Sequence, residues 1–330
     1  MRGSEKQFSL FIERERKKIE HKLYESLNER QPQSLYGPGS YIINGGGKRL
    51  RPILVLLSVK AVGGKLSKAY NAAAAVELLH NFTLVHDDIM DNADKRRNLL
   101  TLHKKYDLST AILAGDSLLS VAYEYLLRDC NGNTKIILSE FTKGLIEVCE
   151  GQSLDKDFEN RKTVSIEEYI LMIEKKTAAM MEMCCAIGGI LGGGNKTEIK
   201  ALARFGKNIG IAFQINDDLL DITGNENDFG KFVGGDLVEG KKTFLFIKAF
   251  EKARGKERQL LLKMIEGKGI KHDEIQTYKD LYIKLNVLNA ASGEIKRYTQ
   301  VALNSLKYLK EENYSRWFNW LADSLINRNK

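Results

Sequence analysis

The chain has 330 residues, of which 43% are hydrophobic and 28% are charged, and this balance excludes a disordered chain. A formal net charge of +8 favours anionic partners: nucleic acid, phosphorylated metabolites or a lipid surface. The basic residues are spread along the chain, however, without a recognition helix, a Cys/His finger or an aromatic RNA-binding signature. Nucleic acid is therefore a weak candidate partner.

The cellular compartment is predicted from cysteine usage and from the pattern of apolar residues. No run of about 18 uncharged apolar residues occurs, and the N-terminal segment is charged throughout, unlike a signal peptide. The four cysteines have no CxxC spacing: Cys130, Cys149, Cys184 and Cys185. They are typical of buried thiols in a reducing compartment, so we expect a soluble cytoplasmic protein.

Helical spacing dominates the chain from its start. All three prolines lie within the first 52 residues, so the remaining 278 residues (330 − 52) lack the residue that most strongly breaks helices. The pattern predicts a helix from about residue 7 to 27, a polar turn over 28–40, a helix from Pro52 to Gly63, and a long helix ending near Asp91. Further helices are predicted at roughly 108–129, 134–151, 166–192, 196–222 and 242–265, with weaker patterns after 272. Without a convincing run of strands, we expect an all-α fold, with residues 1–330 as a single domain.

Two aspartate clusters end two of these helices. The segments LVHDDIMD (84–91) and QINDDLLD (214–221) share the spacing D-D-x-x-D. Positions four apart lie on one face of a helix, so the first and last aspartates share a face: Asp87 with Asp91, and Asp217 with Asp221. The middle aspartates, Asp88 and Asp218, point aside and are expected to bind outer-shell water. We expect the two acidic edges to face each other.

Crowded carboxylates of this kind need a cation. No basic residue lies three or four positions from Asp87, so no ion pair within the helix is expected there. Mg²⁺ suits the pattern because it binds one or two carboxylates and completes its coordination with water and substrate phosphates. A single D-D-x-x-D segment is more often a solvated helix end. Two copies, each followed by basic residues, favour metal ions that hold a diphosphate.

Basic residues and glycines accompany both clusters. The segment GGGKRLRP (45–52) precedes a helix and carries Lys48, Arg49 and Arg51, but it lacks the first glycine and the Ser or Thr of a P-loop. Further cations follow the clusters or lie between them: Arg96, Arg97, Lys176, Lys231, Lys241 and Lys242. Guanidinium groups bind phosphate oxygens through two parallel hydrogen bonds. Acids for metal ions thus alternate with cations for phosphates, which suits two polyanions held side by side.

A series of ordered motifs carries a family resemblance. The motifs are GGKRLRP (46–52), HDDIMD (86–91) with RR (96–97), AILAGD (111–116), EGQ (150–152), KTA (176–178), FQINDDLLD (213–221), and GK (230–231) with EGKKT (239–243). With them the chain resembles the trans-isoprenyl diphosphate synthases, and most of all the archaeal geranylgeranyl diphosphate synthases. Motifs carry the resemblance over about residues 40–245, and beyond them the length of the chain agrees with the family.

The resemblance implies a large helical bundle of the isoprenoid synthase type with a central cavity, usually a homodimer, that uses about three Mg²⁺ ions per active site. It implies condensation of isopentenyl diphosphate with C5, C10 or C15 allylic diphosphates by ionisation, condensation and elimination. The main product would be geranylgeranyl diphosphate (C20). By the same resemblance, Asp87, Asp91 and Asp217 would bind metal directly. Asp88, Asp218 and Asp221 would support them.

Two diphosphate sites are implied as well. Four residues would bind isopentenyl diphosphate: Lys48, Arg51, His80 and Arg97. Six would bind the allylic diphosphate: Arg96, Lys176, Thr177, Gln214, Lys231 and Lys241. His86 is expected to be structural.

Product length is predicted from two residues one helical turn before the first cluster. Phe82 and Thr83 precede Asp87 by five and four residues. A bulky residue at the fifth position is similar to the tunnel floor of archaeal C20 enzymes, so Phe82 with Thr83 predicts geranylgeranyl diphosphate. Two alternatives stay open: Phe82 is an ordinary core residue, and the product is shorter (farnesyl) or longer than C20.

Three other functions fit the sequence less well. A terpene cyclase normally has an Asn/Ser/Glu-type second metal site, whereas both aspartate clusters are intact here. A noncatalytic partner subunit of a prenyl synthase would usually have lost one cluster. A di-iron bundle needs two Glu-x-x-His pairs, and the sequence has only one, Glu77 with His80.

Overall fold

The computed structural model describes residues 2–130, 132–224, 233–309 and 312–326. Its helices are α1 (Arg2–Leu27), α2 (Gln33–Asn44), α3 (Leu50–Ala61), α4 (Tyr70–Met90), α5 (Leu102–Lys105), α6 (Leu108–Arg128), α7 (Thr134–Asn160), α8 (Ile166–Ile173), α9 (Ala179–Leu191), α10 (Lys196–Thr223), α11 (Gly235–Val238), α12 (Phe244–Lys252), α13 (Gly255–Glu266), α14 (Ile275–Lys284), α15 (Val287–Ser305) and α16 (Glu312–Ile326). A π-helical turn, Glu174–Ala178, joins α8 to α9, and 3₁₀ turns lie at Leu66–Lys68, His272–Glu274 and Leu306–Tyr308. The predicted all-α class is confirmed.

The chain divides into two compact units. Unit 1 consists of Met1–Lys143, Met183–Ala203 and Leu306–Trp320; unit 2 consists of Gly144–Glu182, Arg204–Ser305 and Leu321–Lys330. In unit 1, α4 contacts α1, α2, α3 and α6, and its alanine-rich start is fully buried. In unit 2, one hydrophobic core includes Tyr169, Phe244, Tyr278 and Tyr282. The single domain inferred from the sequence stays a prediction. Across the described ranges, no helix is both long and apolar enough to cross a membrane.

The polar turn predicted over 28–40 is wrong in its second half, because α2 begins at Gln33. Pro32 precedes the helix, and Pro38 lies inside it. Proline in a helix interior removes a hydrogen bond, so the local sequence argues against this helix. Burial of Pro38, Gly39 and Ile43 outweighs that cost. A Cβ at Gly39 would lie 3.4 Å from the Leu27 side chain, so the small residue allows this close packing.

The single helix predicted over 242–265 is also wrong, because it divides into α12 and α13. Ala253 is extended, with φ −62° and ψ 141°, and it is fully buried. The Arg254 side chain donates to the carbonyl groups of Glu251 and Ala253, which satisfies acceptors at the end of α12. Gly255 follows with a positive φ of 51°. Side-chain capping and a glycine thus break a segment whose apolar spacing continues.

A two-stranded ribbon that the sequence did not predict follows the first aspartate cluster. β1 (Lys95–Arg96) pairs antiparallel with β2 (Leu99–Leu100). The two connecting residues, Arg97 and Asn98, have φ values of 52° and 62°. Positive φ at both positions is typical of the tight hairpin turn that matches strand twist. This turn sets the positions of the paired arginines.

Candidate functional site

The first aspartate cluster occupies the C-terminal end of α4, where its members have different surroundings. Asp88 is 2% exposed, and its Oδ1 accepts a hydrogen bond from Arg96 Nε at 2.8 Å. Burial raises the pKa of Asp88, although the adjacent Arg96 guanidinium opposes that shift. Asp87 is half-buried and Asp91 is exposed. This arrangement suits the supporting role predicted for Asp88.

Positive charge is concentrated around His80, two helical turns before the cluster. Arg51 Nη1 lies 3.2 Å from His80 Nε2. Because a guanidinium only donates hydrogen bonds, His80 accepts through Nε2 and carries its proton on Nδ1. Burial and the charge of Arg51 hold the pKa of His80 well below its ordinary value. Three more arginines act in the same direction: Arg97, Arg96 and Arg49. A neutral imidazole thus lies among cations that a bound anion would neutralise.

Arg97 lies against the GGG segment. Its guanidinium donates a hydrogen bond to the Gly46 carbonyl. Gly47 has a φ of 142°, and a Cβ there would lie 2.9 Å from Arg97 Nη1. Glycine avoids both the backbone strain and the collision, so the segment and the arginine fit as a pair. Arg97 is exposed, but partial desolvation and the neighbouring arginines lower its pKa despite the opposing charge of Glu77.

Arg49 has a structural partner that the sequence did not reveal. It is 4% exposed; Nη1 donates to Glu77 Oε1 at 2.9 Å, and Nη2 donates to the Ile43 carbonyl at 2.7 Å. Removing one partner of such a buried pair typically costs about 3–5 kcal/mol, because the other charge is left uncompensated. Arg49 therefore fixes the start of α3, on which Arg51 lies, while Lys48 is exposed to solvent.

Phe82 and Thr83 are half-buried on α4. The Phe82 ring lies 4.6 Å from the His86 ring, centroid to centroid, in an edge-to-face arrangement. Thr83 Oγ1 donates to the His80 carbonyl of its own helix at 2.8 Å. His86 Nε2 lies 3.7 Å from Asp116 Oδ1, and His86 packs on α6 as a structural residue would. These contacts leave the chain-length roles of Phe82 and Thr83 as predictions.

The second aspartate cluster ends α10, and Asp218 is bound there through both oxygens. Asp218 is 5% exposed. Its Oδ2 accepts from the Tyr169 hydroxyl at 2.6 Å and from the Phe244 backbone N–H at 3.1 Å. Its Oδ1 accepts from Gln214 Nε2 at 3.2 Å. Gln214 Oε1 in turn accepts from Thr177 Oγ1 at 2.9 Å, so two predicted allylic-site residues join one hydrogen-bonded chain.

Asp236 is a candidate site residue that the sequence analysis missed. Its backbone N–H donates to Asp221 Oδ2 at 3.1 Å. Burial, and then the charge of Asp236, raise the pKa of both Asp218 and Asp221. Lys241 Nζ lies 3.5 Å from Asp236 Oδ1; burial alone would lower the pKa of Lys241, but Asp236 and Glu239 raise it. Such an excess of carboxylates favours a bound cation.

The KTA segment lies in the π-helical turn Glu174–Ala178. A Cβ at Gly151 of α7 would lie 2.2 Å from the Lys176 backbone nitrogen, and one at Gly210 of α10 would lie 2.6 Å from the end of the turn. The turn fits between these helices only because both positions are glycine. Lys176 Nζ donates to Asp155 Oδ2 at 2.5 Å, which identifies Asp155 as a second missed residue. Turns of the π type are frequent at functional sites.

A cavity of about 120 Å³ in unit 2 brings these side chains together, and it has room for several water molecules. Its lining residues are Asp155, Tyr169, Met172, Ile173, Lys176, Thr177, Gln214, Asp218, Asp236, Lys241, Lys242 and Thr243. Four of the six predicted allylic-diphosphate residues are among them. Of the other two, Arg96 belongs to unit 1, and Lys231 lies outside the described residues.

The donor set of the two clusters fits Mg²⁺. The candidate ligands are carboxylates, the hard oxygen donors that this ion prefers. Asp88 and Asp218 already bond within the protein. Burial, and then the charge of Asp236, raise the pKa of Asp221, and a cation would compensate that charge. In the part of the chain that the structure describes, no three acidic, histidine or cysteine side chains converge as a metal site.

Comparison with known proteins places these features in context. Residues 32–282 match the family model for polyprenyl synthetase. The chain is 39% identical over 302 residues to a geranylgeranyl diphosphate synthase from Sulfolobus acidocaldarius, covering 90% of this chain and 91% of the relative. It is 41% identical over 256 residues to a geranylfarnesyl diphosphate synthase from Natronomonas pharaonis, covering 72% and 75%. The crystal structure of a geranylgeranyl pyrophosphate synthetase from Pyrococcus horikoshii superimposes with a TM-score of 0.90 at 38% identity, covering 98% of this chain and 99% of that one.

Proposed function

The chain belongs to the polyprenyl synthetase family, and we propose that it is a prenyltransferase that condenses isopentenyl diphosphate with allylic diphosphates to give mainly geranylgeranyl diphosphate. The predicted fold of the isoprenoid synthase type is confirmed by the structural comparison. The observation that carries the proposal is the arginine cluster (Arg49, Arg51, Arg96 and Arg97) around neutral His80, whose helix ends in an aspartate cluster. An anion site beside a candidate metal-binding edge suits chemistry on diphosphates.

Isopentenyl diphosphate is assigned to the cationic cluster of unit 1, with Lys48, Arg51, His80 and Arg97 as its contacts. Arg51 donates to His80, which places its guanidinium in the same positively charged surroundings as Arg97. Desolvation and the charges of the neighbouring arginines lower the pKa of Arg97, and an anionic ligand would relieve that repulsion. Lys48 is exposed and lies in the segment GGGKRLRP (45–52), which also carries Arg51.

The allylic diphosphate is assigned to the cavity of unit 2 through Lys176, Thr177, Gln214 and Lys241, with Arg96 and Lys231 as further predicted contacts. Lysine and amide donors line the cavity together with carboxylates. That mixture suits a diphosphate held by cations on one side and by metal ions on the other.

The metal would be Mg²⁺, held by Asp87, Asp91 and Asp217 with Asp88, Asp218 and Asp221 in support. When bound, it supplies a Lewis acid for the charge that develops on the departing diphosphate. The side-chain cations stabilise the same charge. The allylic cation left behind is attacked by the double bond of isopentenyl diphosphate, which the arginine cluster holds in place. A proton then leaves to the released diphosphate. That the two clusters bind one diphosphate together stays a prediction.

Product length is assigned to Phe82, with Thr83 beside it, as the floor of the site for the growing chain. The half-buried Phe82 ring one turn before Asp87 supports this assignment. A shorter or longer product would leave the chemistry unchanged, and a noncatalytic partner subunit would show no turnover by itself.

The proposal extends to assembly and compartment: the chain would act as a homodimer in the cytoplasm. Leu108, Ile112 and Leu113 of α6 are exposed apolar residues that a second copy would cover. Cys130, Cys184 and Cys185 are buried, as the sequence predicts, but the expectation of a buried thiol is wrong for Cys149, which is exposed.

Two matched variants test the assignment of the substrates. We expect Arg51→Gln to raise the KM for isopentenyl diphosphate about tenfold with little change in the KM for the allylic primer, and Lys176→Gln to do the reverse, because each removes a charged hydrogen bond from one site. Steady-state kinetics with each substrate varied in turn measures both constants. An unmodified chain without turnover on any primer contradicts the proposed function, and equal rises in both constants contradict the assignment of the sites.

A further inference from the structure

Asp218 is the centre of the hydrogen bonds behind the unit 2 cavity. Three donors from three parts of the chain bond its two oxygens: the Tyr169 hydroxyl of α8, the Phe244 backbone N–H of α12, and Gln214 Nε2 of α10. A carboxylate with these bonds has little capacity left for a ligand. Its role is therefore to hold other groups in place.

Gln214 is the group that Asp218 holds. An amide can be turned either way, and its orientation is set by its partners. Here the nitrogen donates to Asp218, and the oxygen accepts from Thr177 Oγ1 at 2.9 Å. The second N–H of the same nitrogen is not needed by Asp218, and Gln214 lines the cavity, so this N–H is available to an anion there.

Tyr169 fixes the position of Asp218. Its hydroxyl donates to Asp218 Oδ2 at 2.6 Å, the shortest of the three bonds, and the residue is 2% exposed. A carboxylate oxygen only accepts, so the Tyr169 hydroxyl is the donor in this bond. Without it, Oδ2 keeps only the longer bond from the Phe244 backbone, at 3.1 Å.

We propose that Tyr169 is a positioning residue for the allylic diphosphate: its hydroxyl fixes Asp218, and Asp218 fixes the amide of Gln214 beside Thr177. This inference rests on the proposed function of the cavity. Tyr169 also lines the cavity, but its hydroxyl donates to Asp218, so the hydroxyl acts on the substrate through these partners. Its effect belongs to the allylic substrate, not to isopentenyl diphosphate.

Tyr278 provides a matched control. It is also 2% exposed and belongs to the same hydrophobic core, but its hydroxyl donates to the Leu260 carbonyl at 2.9 Å, and it does not line the cavity. Replacing either tyrosine by phenylalanine removes one buried hydroxyl and one hydrogen bond. The two variants therefore each remove one hydroxyl from the same core, and they release different partners: a carboxylate for Tyr169 and a backbone carbonyl for Tyr278.

The experiment compares Tyr169→Phe with Tyr278→Phe by three measurements. Calorimetry with inorganic diphosphate and Mg²⁺ gives binding without turnover, kinetics gives the KM of each substrate, and thermal unfolding gives stability. For Tyr169→Phe we expect about tenfold weaker diphosphate binding and a similar rise in the allylic KM, the lower end of the loss of one charged hydrogen bond. The KM for isopentenyl diphosphate should change less than about twofold, and Tyr278→Phe should match the unmodified protein in both constants.

A second variant tests whether the effect passes through Gln214. In a Gln214→Ala background, Tyr169→Phe should weaken diphosphate binding no further, because the group that it orients is gone. Should Tyr169→Phe fail to fold, Asp218→Asn replaces the charged acceptor of the same hydrogen bond and should show the same selective loss. Unchanged diphosphate binding in whichever of these variants folds overturns the inference, as does an additive loss in the Gln214→Ala background. If the unmodified chain makes no prenyl product, the proposed function fails; if it does and Tyr169→Phe behaves like it, only this inference fails.

Discussion

Adding one methyl group at Gly47 should have two effects that can be measured separately, one on stability and one on substrate binding. Its φ of 142° lies in a region that residues other than glycine rarely adopt. A Cβ there would lie 2.9 Å from Arg97 Nη1. In Gly47→Ala the backbone strain should cost about 1–3 kcal/mol of unfolding free energy. The collision should not add much to that cost, because the guanidinium is the end of a flexible side chain and can move.

The movement of Arg97 should instead appear in substrate binding. Arg97 also donates to the Gly46 carbonyl, so a displaced guanidinium loses its position relative to the arginine cluster. Loss of one charged hydrogen bond to phosphate is worth about 1.5–3 kcal/mol, and about 1.4 kcal/mol is a factor of ten. We therefore expect the KM for isopentenyl diphosphate to rise about tenfold or more, with the allylic KM unchanged.

Gly63→Ala is the control for this prediction. Gly63 has a φ of 81°, and a Cβ there would meet nothing within 4 Å, so the substitution introduces strain without a collision. Urea unfolding should show both variants destabilised, while steady-state kinetics should show the rise in KM only for Gly47→Ala. A Gly47→Ala enzyme with an unchanged KM for isopentenyl diphosphate would refute the role given to Arg97 and its glycine.

Three further predictions concern the clusters, the product and the pH dependence of stability. Asp87→Ala and Asp217→Ala should each lower kcat by about 10²-fold or more, since each removes a proposed metal ligand, while circular dichroism melting stays near that of the unmodified protein; near-normal rates would reject direct coordination. Phe82→Ala should lengthen the product in chromatography of the reaction mixture, and an unchanged product would reject Phe82 as the floor. Folding lowers the pKa of His80. Below the ordinary value of about 6.5, the unfolded chain therefore binds a proton that the folded chain does not. As a result, unfolding free energy is lost as the pH falls. His80→Gln should therefore lose less unfolding free energy than the unmodified protein between about pH 7 and pH 5, and parallel curves would contradict the lowered pKa.

Local periodicity was sufficient to predict most helices. The buried residues Ile19, Leu23 and Leu27 recur at helical spacing, and α1 has that pattern along its length. It was insufficient at α2, where burial of Pro38 and Gly39 outweighs poor helix propensity. It also failed between α12 and α13, where an arginine side chain caps a helix whose apolar spacing continues. Both failures depend on contacts that a single segment does not contain.

The candidate site was predicted by residue type and missed where partners are distant in the chain. Arg49 looked like its neighbours Lys48 and Arg51, but it pairs with Glu77, 28 residues away. Tyr169 bonds Asp218 across 49 residues, and no spacing rule connects them. Asp236 lies between the GK (230–231) and EGKKT (239–243) motifs that follow the second cluster. Only the lysines of these motifs were predicted to bind a ligand.

Product formation tests the central claim most directly. Purified protein is incubated with labelled isopentenyl diphosphate and the C5, C10 or C15 primer, with Mg²⁺ or with chelator, and the products are separated by chain length. The predicted result is accumulation of C20 diphosphate with each primer, only when Mg²⁺ is present. No incorporation of label into any allylic primer at saturating Mg²⁺ would contradict it.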